Sequence, residues 1–542
     1  MSQKPEVNLE TLHKIFTIPE SENSTLGKIE KEISENVLGF LKAHIVVAET
    51  SPANLEKFFR EYQIPEDPVY VSEQAEFLLN KVVAQSVHTA SPRFVGHMTS
   101  ALPYFMLPLS KMMIALNQNL VKIETSKAFT PLERQVIGML HHLIYQKSSL
   151  FYKKHTQDHE SALGVFCSNG TIANITSLWV ALNKAFPKTK NFDGVSEEGL
   201  FTALQYYKSS GAVILVSQRG HYSLSKAANL LGIGKKNLIP IPTNDQNKIQ
   251  IDSLKTNIAV MKKANKKVVA IVGIAGTTET GSVDPLDQMA DICEAQGIHF
   301  HVDAAWGGPT LFSDTHRKKL KGIERADSVT FDAHKQLYVP MGAGFAIFKD
   351  KSDLAHVEHY AEYIIRKGSR DLGRKTLEGS RPGMAMLVHS GFRIIGRKGY
   401  ELLIDMGIQK ARTFAKMIGD APDFELISEP ELNILTYRYI PTEVSTALKT
   451  ATMEERRRLN DHLNRLTITI QKEQRDKGKT FVSRTALQPL IYDRKTINVF
   501  RVVLANPLTQ EKHLQEILDE QRKIADTLMH GESWAKTGRQ GD

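Results

Sequence analysis

Between Gly164 and Phe348, short apolar runs alternate with stretches of helical periodicity, and few folds accept that alternation. The runs are G-V-F-C (164–167), A-V-I-L-V-S (212–217), V-V-A-I-V-G-I-A (268–275), I-H-F-H-V-D (298–303), S-V-T-F-D (328–332) and G-A-G-F-A-I-F (342–348). Helices are expected between them, beginning near Ala173 and Ser225 and ending near Ile292. Strands alternating with helices predict an α/β domain with a mostly parallel central sheet. In such sheets ligands bind beyond the carboxyl ends of the strands.

The chemically pointed residues fall at those ends. Asp303 closes one run, with Gly307 and Gly308 beyond it. Asp332 closes another, and His334 and Lys335 follow. Alone, Lys335 reads as a solvated lysine and Asp303 as a helix cap. Together they suggest a pyridoxal phosphate (PLP) site, which needs a lysine to hold the aldehyde as a Schiff base and an acid to keep the ring nitrogen protonated. Upstream, S-N-G-T (168–171) joins a strand to a helix, where free N–H groups of Gly170 and Thr171 and the Thr171 hydroxyl suit a phosphate. His221 follows a strand and Gly220, a place from which an imidazole can lie flat on a cofactor ring. Gly276, Thr277, Thr278 and Gly281 form another polar turn at the same edge. Ala305 is small enough to lie under a flat ring, and His334 stands where it can touch the phosphate.

Composition narrows the setting. The 542 residues can bury more than one core, and 41% apolar with 24% charged residues is ordinary for a globular protein. Cys167 and Cys293 are too few for a disulfide framework or a four-cysteine zinc site, so no metal is expected and a reducing compartment is. The start M-S-Q-K-P-E is polar, and no run approaches the length that spans a bilayer. A cytoplasmic protein with no membrane partner is expected. The formal charge of +9 is spread over separate runs such as Lys262-Lys263 and Arg456-Arg457-Arg458, which read as solvated helix faces. A nucleic-acid partner is not expected; the excess suits an anionic substrate.

Three parts are expected: an N-terminal helical segment with a substrate-side loop (1–108), a large cofactor-binding domain (109–385) and a small α+β domain (386–542). Apolar spacing predicts helices over Thr25 to Glu49 and Ser72 to Ser86, whose stripes need a burial partner. Thr130 is expected to cap the helix that follows, with Pro131 at its first position. The charged stretch Asp350 to Gly383 looks like a mobile loop or lid. Glu454 to Lys479 reads as a solvated insertion, and the tail after Gly531 as disordered.

The ordered set S-N-G-T-I-A-N, S-Q-R-G-H-Y-S, G-T-T-E-T-G-S-V-D-P, H-V-D-A-A-W-G-G and D-S-V-T-F-D-A-H-K resembles the group II PLP-dependent amino-acid decarboxylases, over about Pro92 to Pro507. Its wording is most similar to the bacterial aspartate 1-decarboxylases, neighbours of glutamate decarboxylase. The resemblance implies the PLP-dependent transferase fold type I and a homodimer with its site at the subunit interface. It assigns the Schiff base to Lys335, the ring-nitrogen partner to Asp303, stacking to His221, and phosphate contacts to Gly170, Thr171 and His334. It also implies that Arg501 and His97 hold a substrate carboxylate, and that a loop tyrosine, Tyr360 or Tyr363, returns a proton to the product. Ile274 and Asp332-Ala333 depart from the family pattern. The expected activity is α-decarboxylation of L-aspartate to β-alanine, with L-glutamate to 4-aminobutanoate as the alternative. A PLP-dependent aminotransferase and a non-catalytic binding protein are the competing readings.

Overall fold

The computed structural model describes residues 24–42, 46–48, 50–361 and 368–530. Seven strands, β1 (Gly164–Cys167), β2 (Gly211–Ser217), β3 (Leu238–Ile241), β4 (Lys266–Ile274), β5 (His299–Asp303), β6 (Ser328–Asp332) and β7 (Gly344–Phe348), form one sheet in the order β1-β7-β6-β5-β4-β2-β3. From β6 to β3 the pairing is parallel, and β7 runs antiparallel to both β6 and β1. Chain length explains the difference. Parallel partners are joined through crossovers such as the helices Ile251–Lys263 and Leu286–Gln296, whereas only residues 333–343 separate β6 from β7, too few for a helical crossover. That short link carries Lys335.

Helices cover the sheet, so β5 and β6 are buried at every residue and read as unbroken apolar runs rather than alternating ones. The sheet has one strand that apolar runs do not announce. β3 is four residues long, lies at the edge and contains Pro240, whose missing N–H is tolerated there.

A second, antiparallel sheet follows in the order β10-β11-β9-β8, from β8 (Phe424–Ser428), β9 (Ile434–Tyr439), β10 (Ser483–Leu487) and β11 (Ile497–Val503). Phe414, Tyr437, Leu466, Ile470, Phe500 and Leu518 form its core with the helices Gly396–Asp420, Met453–Lys477 and Glu511–His530. The two sheets meet closely: a Cβ on Gly281, in the turn after β4, would lie 2.9 Å from Ile434 Cβ.

Four expectations need correction. Glu454 to Lys479 is no solvated insertion. Met453–Lys477 is one 25-residue helix, opened by a Thr452/Glu455 capping box, and it buries Leu463, Leu466, Thr467, Ile470 and Gln474. Its apolar stripe is so narrow that the charged face dominates the sequence. Thr130 lies inside the helix Phe129–Tyr145 rather than at its cap; its hydroxyl is 2.7 Å from Ser126 Oγ, and Pro131 still falls within the first turn. The N-terminal helix spans Thr25–Leu41, shorter than expected, with Ser24 Oγ accepting the Gly27 N–H. The stretch 350–383 is anchored where it is described: Asp353, Leu354, Asp371, Arg374 and Lys375 are buried, and Arg381 makes a two-pronged ion pair with buried Glu133. Residues 362–367 of that stretch, and the tail after Gly531, lie outside the described residues.

Among the described residues, no helix is long and apolar enough to cross a membrane. Large apolar side chains nevertheless stand open in the N-terminal segment, Tyr62 at 91% exposure and Ile64 at 94%, with Phe58 and Phe59 near them in sequence. Such surface normally finds a partner.

The helix Met453–Lys477 makes a direct test of the packing. Leu466→Ala should lower unfolding stability by about 2–5 kcal/mol through lost burial and a residual cavity, whereas Arg456→Ala on the exposed face should change it by less than about 0.5 kcal/mol. Urea titrations of both variants check this; equal effects would contradict a buried Leu466.

Candidate active site

The carboxyl ends of β5 and β6 and the N-terminus of the helix Gly170–Ala185 meet around a cavity of about 500 Å³. Of the nine residues assigned to the cofactor or the substrate carboxylate, seven line it: Gly170, Thr171, His221, Asp303, Ala305, His334 and Lys335. His97 and Arg501 do not line it but adjoin it, His97 beside the lining residue Met98 and Arg501 through the carbonyl of the lining residue Thr278.

Asp303 ends β5 with its carboxylate inside the protein. Its Oδ2 accepts from Asn174 Nδ2 at 2.9 Å, and its Oδ1 accepts from the Ala305 N–H at 3.2 Å. Such partners are what a buried carboxylate requires. Lys335 sits in the turn after β6, where its Nζ lies 3.0 Å from Asp332 Oδ2. His334 donates from Nδ1 to the Ala343 carbonyl at 2.8 Å, which fixes its ring beside Asp332, 3.6 Å from Nε2 to Oδ2.

The helix Gly170–Ala185 aims its positive end at the cavity. Asn169 caps it, its side-chain oxygen accepting the Ile172 N–H at 3.2 Å. The N–H groups of Gly170 and Thr171, in the first turn, have no intrahelical acceptor, which makes an anion site at a helix N-terminus. Lys226 adds a cation to the lining. Gly170 is required by space: a Cβ there would stand 2.8 Å from Asp332 Oδ2 and 3.3 Å from Ala305 Cβ. Gly344 is crowded likewise, its Cβ position 2.7 Å from Asp332 Oδ1.

His221 caps the helix Tyr222–Leu230, with its Nδ1 3.3 Å from the Ser223 N–H and 2.9 Å from Ser223 Oγ. Burial pushes its imidazole below the usual range; Asp303 opposes the shift and Lys335 adds to it. His97 lies on an exposed loop, Nδ1 3.0 Å from Thr99 Oγ1. Desolvation by nearby protein atoms, then Arg501 and Lys335, lower its titration.

Arg501 belongs to β11 and is buried. It donates from Nε to the Thr278 carbonyl at 2.6 Å and from Nη1 to Ser483 Oγ at 3.2 Å and the Gly96 carbonyl at 3.4 Å. Its Nη2 is buried with no hydrogen-bond partner. Burial brings the guanidinium down to about 10, opposed by Glu279, so it remains a cation at neutral pH. Three parts of the chain converge on this side chain: the loop around Gly96, the turn after β4 and the small sheet.

The donor set fits PLP. A helix N-terminus and Lys226 suit its phosphate, a fixed carboxylate suits its ring nitrogen, and a lysine amine faces the same space. Asp332 also lines the cavity, and its Oδ1 is buried without a partner. Tyr360 is not part of the lining; its hydroxyl accepts from Arg374 at 3.4 Å. Tyr363 lies outside the described residues.

Sequence reading missed Asn174, Ser223, Lys226 and Trp306. Asn174 had a readable signal, an amide one helical turn after Gly170, hence on the same face. Trp306 had none: its indole N–H donates to Asn433 Oδ1 at 3.0 Å, a contact between residues 127 apart in the chain.

The pyridoxal-dependent decarboxylase conserved domain matches residues 54–440. Aspartate 1-decarboxylase of Aliivibrio fischeri is 58% identical over 522 residues, 96% of this chain and 95% of that protein. Human acidic amino acid decarboxylase GADL1 is 30% identical over 450 residues, 82% of this chain and 79% of that protein. The crystal structure of Oryza sativa TDC with PLP and tryptamine shares the fold, with a TM-score of 0.80 at 18% identity over 95% of this chain and 100% of that one. With the family's domain matched across most of its length and a cavity whose residues fit the cofactor, the chain belongs to the pyridoxal-dependent decarboxylases.

Proposed function

We propose that this decarboxylase acts on L-aspartate, removing the α-carboxylate as carbon dioxide and leaving β-alanine. The observation that carries the acidic substrate is Arg501, a buried cation beside the cavity with one guanidinium nitrogen unpartnered. A side-chain carboxylate satisfies such a group with charge-assisted hydrogen bonds. The 58% identity to the Aliivibrio fischeri aspartate 1-decarboxylase supports aspartate over glutamate. His97, on the loop beside Arg501, is a second donor for the shorter acid.

Bound in the cavity, PLP supplies the electron sink for the pair released when carbon dioxide departs. The chain's own groups do the rest. Lys335 is the amine that would hold the cofactor through its aldehyde. Asp303, held by Asn174 and the Ala305 N–H, would keep a proton on the ring nitrogen. The first turn of Gly170–Ala185 and His334 would hold the phosphate, and Ala305 and His221 would pack against the ring. Arg501, by fixing the distal carboxylate, determines how the α-carboxylate is turned.

The same reading makes the enzyme a cytoplasmic homodimer with a three-part chain, 1–108, 109–385 and 386–542. The exposed apolar side chains Tyr62 and Ile64 support dimerisation, and two buried, unpaired cysteines support a reducing compartment. Light scattering at micromolar concentration should return twice the chain mass; a monomer that is fully active removes the dimer.

Two sets of measurements test the chemistry. Lys335→Ala should abolish carbon dioxide release and the visible absorbance of bound cofactor, while Asp303→Asn should retain cofactor but lose about a hundredfold or more in kcat. Borohydride labelling mapped to a lysine other than Lys335 rejects the assignment. For the substrate, kcat/KM with aspartate should exceed that with glutamate, cysteine sulfinate and tyrosine. Arg501→Met should cost about 2–5 kcal/mol of transition-state binding for aspartate. Tyrosine as best substrate, or normal aspartate turnover by Arg501→Met, overturns the acidic pocket; a requirement for added keto acid would move the enzyme to transamination.

A further inference from the structure

The hydrogen bonds around Asp303 extend well past it. Asn174 Nδ2 reaches both Asp303 Oδ2 and Ser223 Oγ, each at 2.9 Å. Asn174 Oδ1 lies 2.7 Å from Thr330 Oγ1 and 2.9 Å from His301 Nε2. His301 Nδ1 and His299 Nε2 both lie 2.9 Å from Ser328 Oγ. On the other branch Ser223 Oγ lies 2.9 Å from His221 Nδ1. Apart from His221, these side chains are all buried.

The direction of every bond follows from two groups that have no choice. A carboxylate only accepts, so Asn174 must turn its NH₂ toward Asp303; the flipped amide would set oxygen against oxygen. Asn174 Oδ1 then accepts, from Thr330 and from His301 Nε2–H. Burial drives the His301 imidazole down to about 4. With one proton, on Nε2, its Nδ1 accepts a hydrogen bond from the Ser328 hydroxyl, and Ser328 Oγ accepts from His299 Nε2–H. The second N–H of Asn174 Nδ2 donates to Ser223 Oγ, which frees the Ser223 hydroxyl proton for His221 Nδ1. A backbone N–H only donates, and that of Ser223 is also aimed at His221 Nδ1, at 3.3 Å.

We infer that Asn174 and Ser223 are positioning residues that lock His221 as its Nε2–H tautomer, a donor facing the cavity, with the same amide that fixes Asp303 as an acceptor. Nδ1 receives two donors and holds no proton in the neutral ring. Among the described residues Nε2 has no partner within the protein, and the ring lines the cavity. His221 therefore offers an anion, the substrate's α-carboxylate or an oxygen of the cofactor, a hydrogen bond; it does not offer a base. One amide thus sets the polarity of two groups that line the cavity. A change at Asn174 acts on both at once, so its effect exceeds that of Ser223.

The inference rests on reading this cavity as the cofactor site, but its central readout does not. Long-range ¹H–¹⁵N correlation on protein labelled with ¹⁵N-histidine, with His221→Gln to assign the signal, reports the His221 tautomer with and without PLP. The Nε2–H pattern is expected in both states of the native chain, and a Nδ1–H pattern in either overturns the inference whatever the activity. Ser223→Ala should blur the pattern toward a mixture and lower kcat roughly tenfold with KM little changed, the scale of one lost hydrogen bond. Ser223→Thr, which keeps the hydroxyl, should restore both. Unchanged kcat and tautomer in Ser223→Ala would remove Ser223 from the role. Asn174→Ser should shift the tautomer signal and weaken PLP binding measured by fluorescence titration; if that variant does not fold, the native-chain tautomer still decides. A native Nε2–H signal with no decarboxylation of any amino acid would instead sink the proposed function and leave the network standing.

Discussion

A carboxylate cannot be buried without donors, and Asp303 is buried at the end of a central strand. Much of the surrounding architecture follows from that requirement. The parallel packing of β4, β5 and β6 brings strand ends to one edge, and the helix Gly170–Ala185 crosses that edge closely enough for Asn174 to reach the acid. Close approach is possible because the helix starts with Gly170, where no Cβ fits. The helix N-terminus that results is left facing the same cavity. Anchoring the acid and creating the anion site are therefore one packing solution.

The small sheet braces the cavity from behind its wall. Arg501 bonds to the turn after β4 and to the loop at Gly96, so its position depends on both. Trp306, three residues after Asp303, bonds to Asn433; Asn433 Nδ2 donates to Gln336 Oε1 at 2.8 Å, and Gln336 Nε2 donates to the Trp306 carbonyl at 2.7 Å. This closed triangle joins the segment after Asp303, the segment after Lys335 and the small sheet. Tyr338 reinforces it, donating to the Ala505 carbonyl at 2.8 Å. A shift of the small sheet would be felt at the residues flanking both Asp303 and Lys335.

The central parallel strands were legible because burial on both faces writes itself as consecutive Val, Ile and Phe, and most of the cavity residues that follow those runs were legible with them. Where burial leaves less trace, the reading failed. Pro240 and a length of four hid β3, and the helix Met453–Lys477 buries so narrow a stripe that its arginines and glutamates masked it. Asn174 and Ser223 act through bonds between distant parts of the chain, which spacing alone does not reveal. His97 and Arg501 were chosen by resemblance, and the structure places them one step behind the cavity wall.

The most exacting feature is the crowding around Asp332. Gly170 and Gly344 both face its carboxylate at distances no side chain would tolerate, Lys335 pairs with one oxygen and the other is buried alone. A second buried acid at a helix N-terminus gains from the dipole, but that same N-terminus is where an anionic ligand gains most. The two anions draw on one set of donors. The cavity can hold both because its cations are distributed, with Lys335 beside Asp332, Lys226 in the lining and Arg501 beyond Thr278. Charge in this site is balanced across the whole cavity, and removing any one cation changes the affinity of the space for every anion in it.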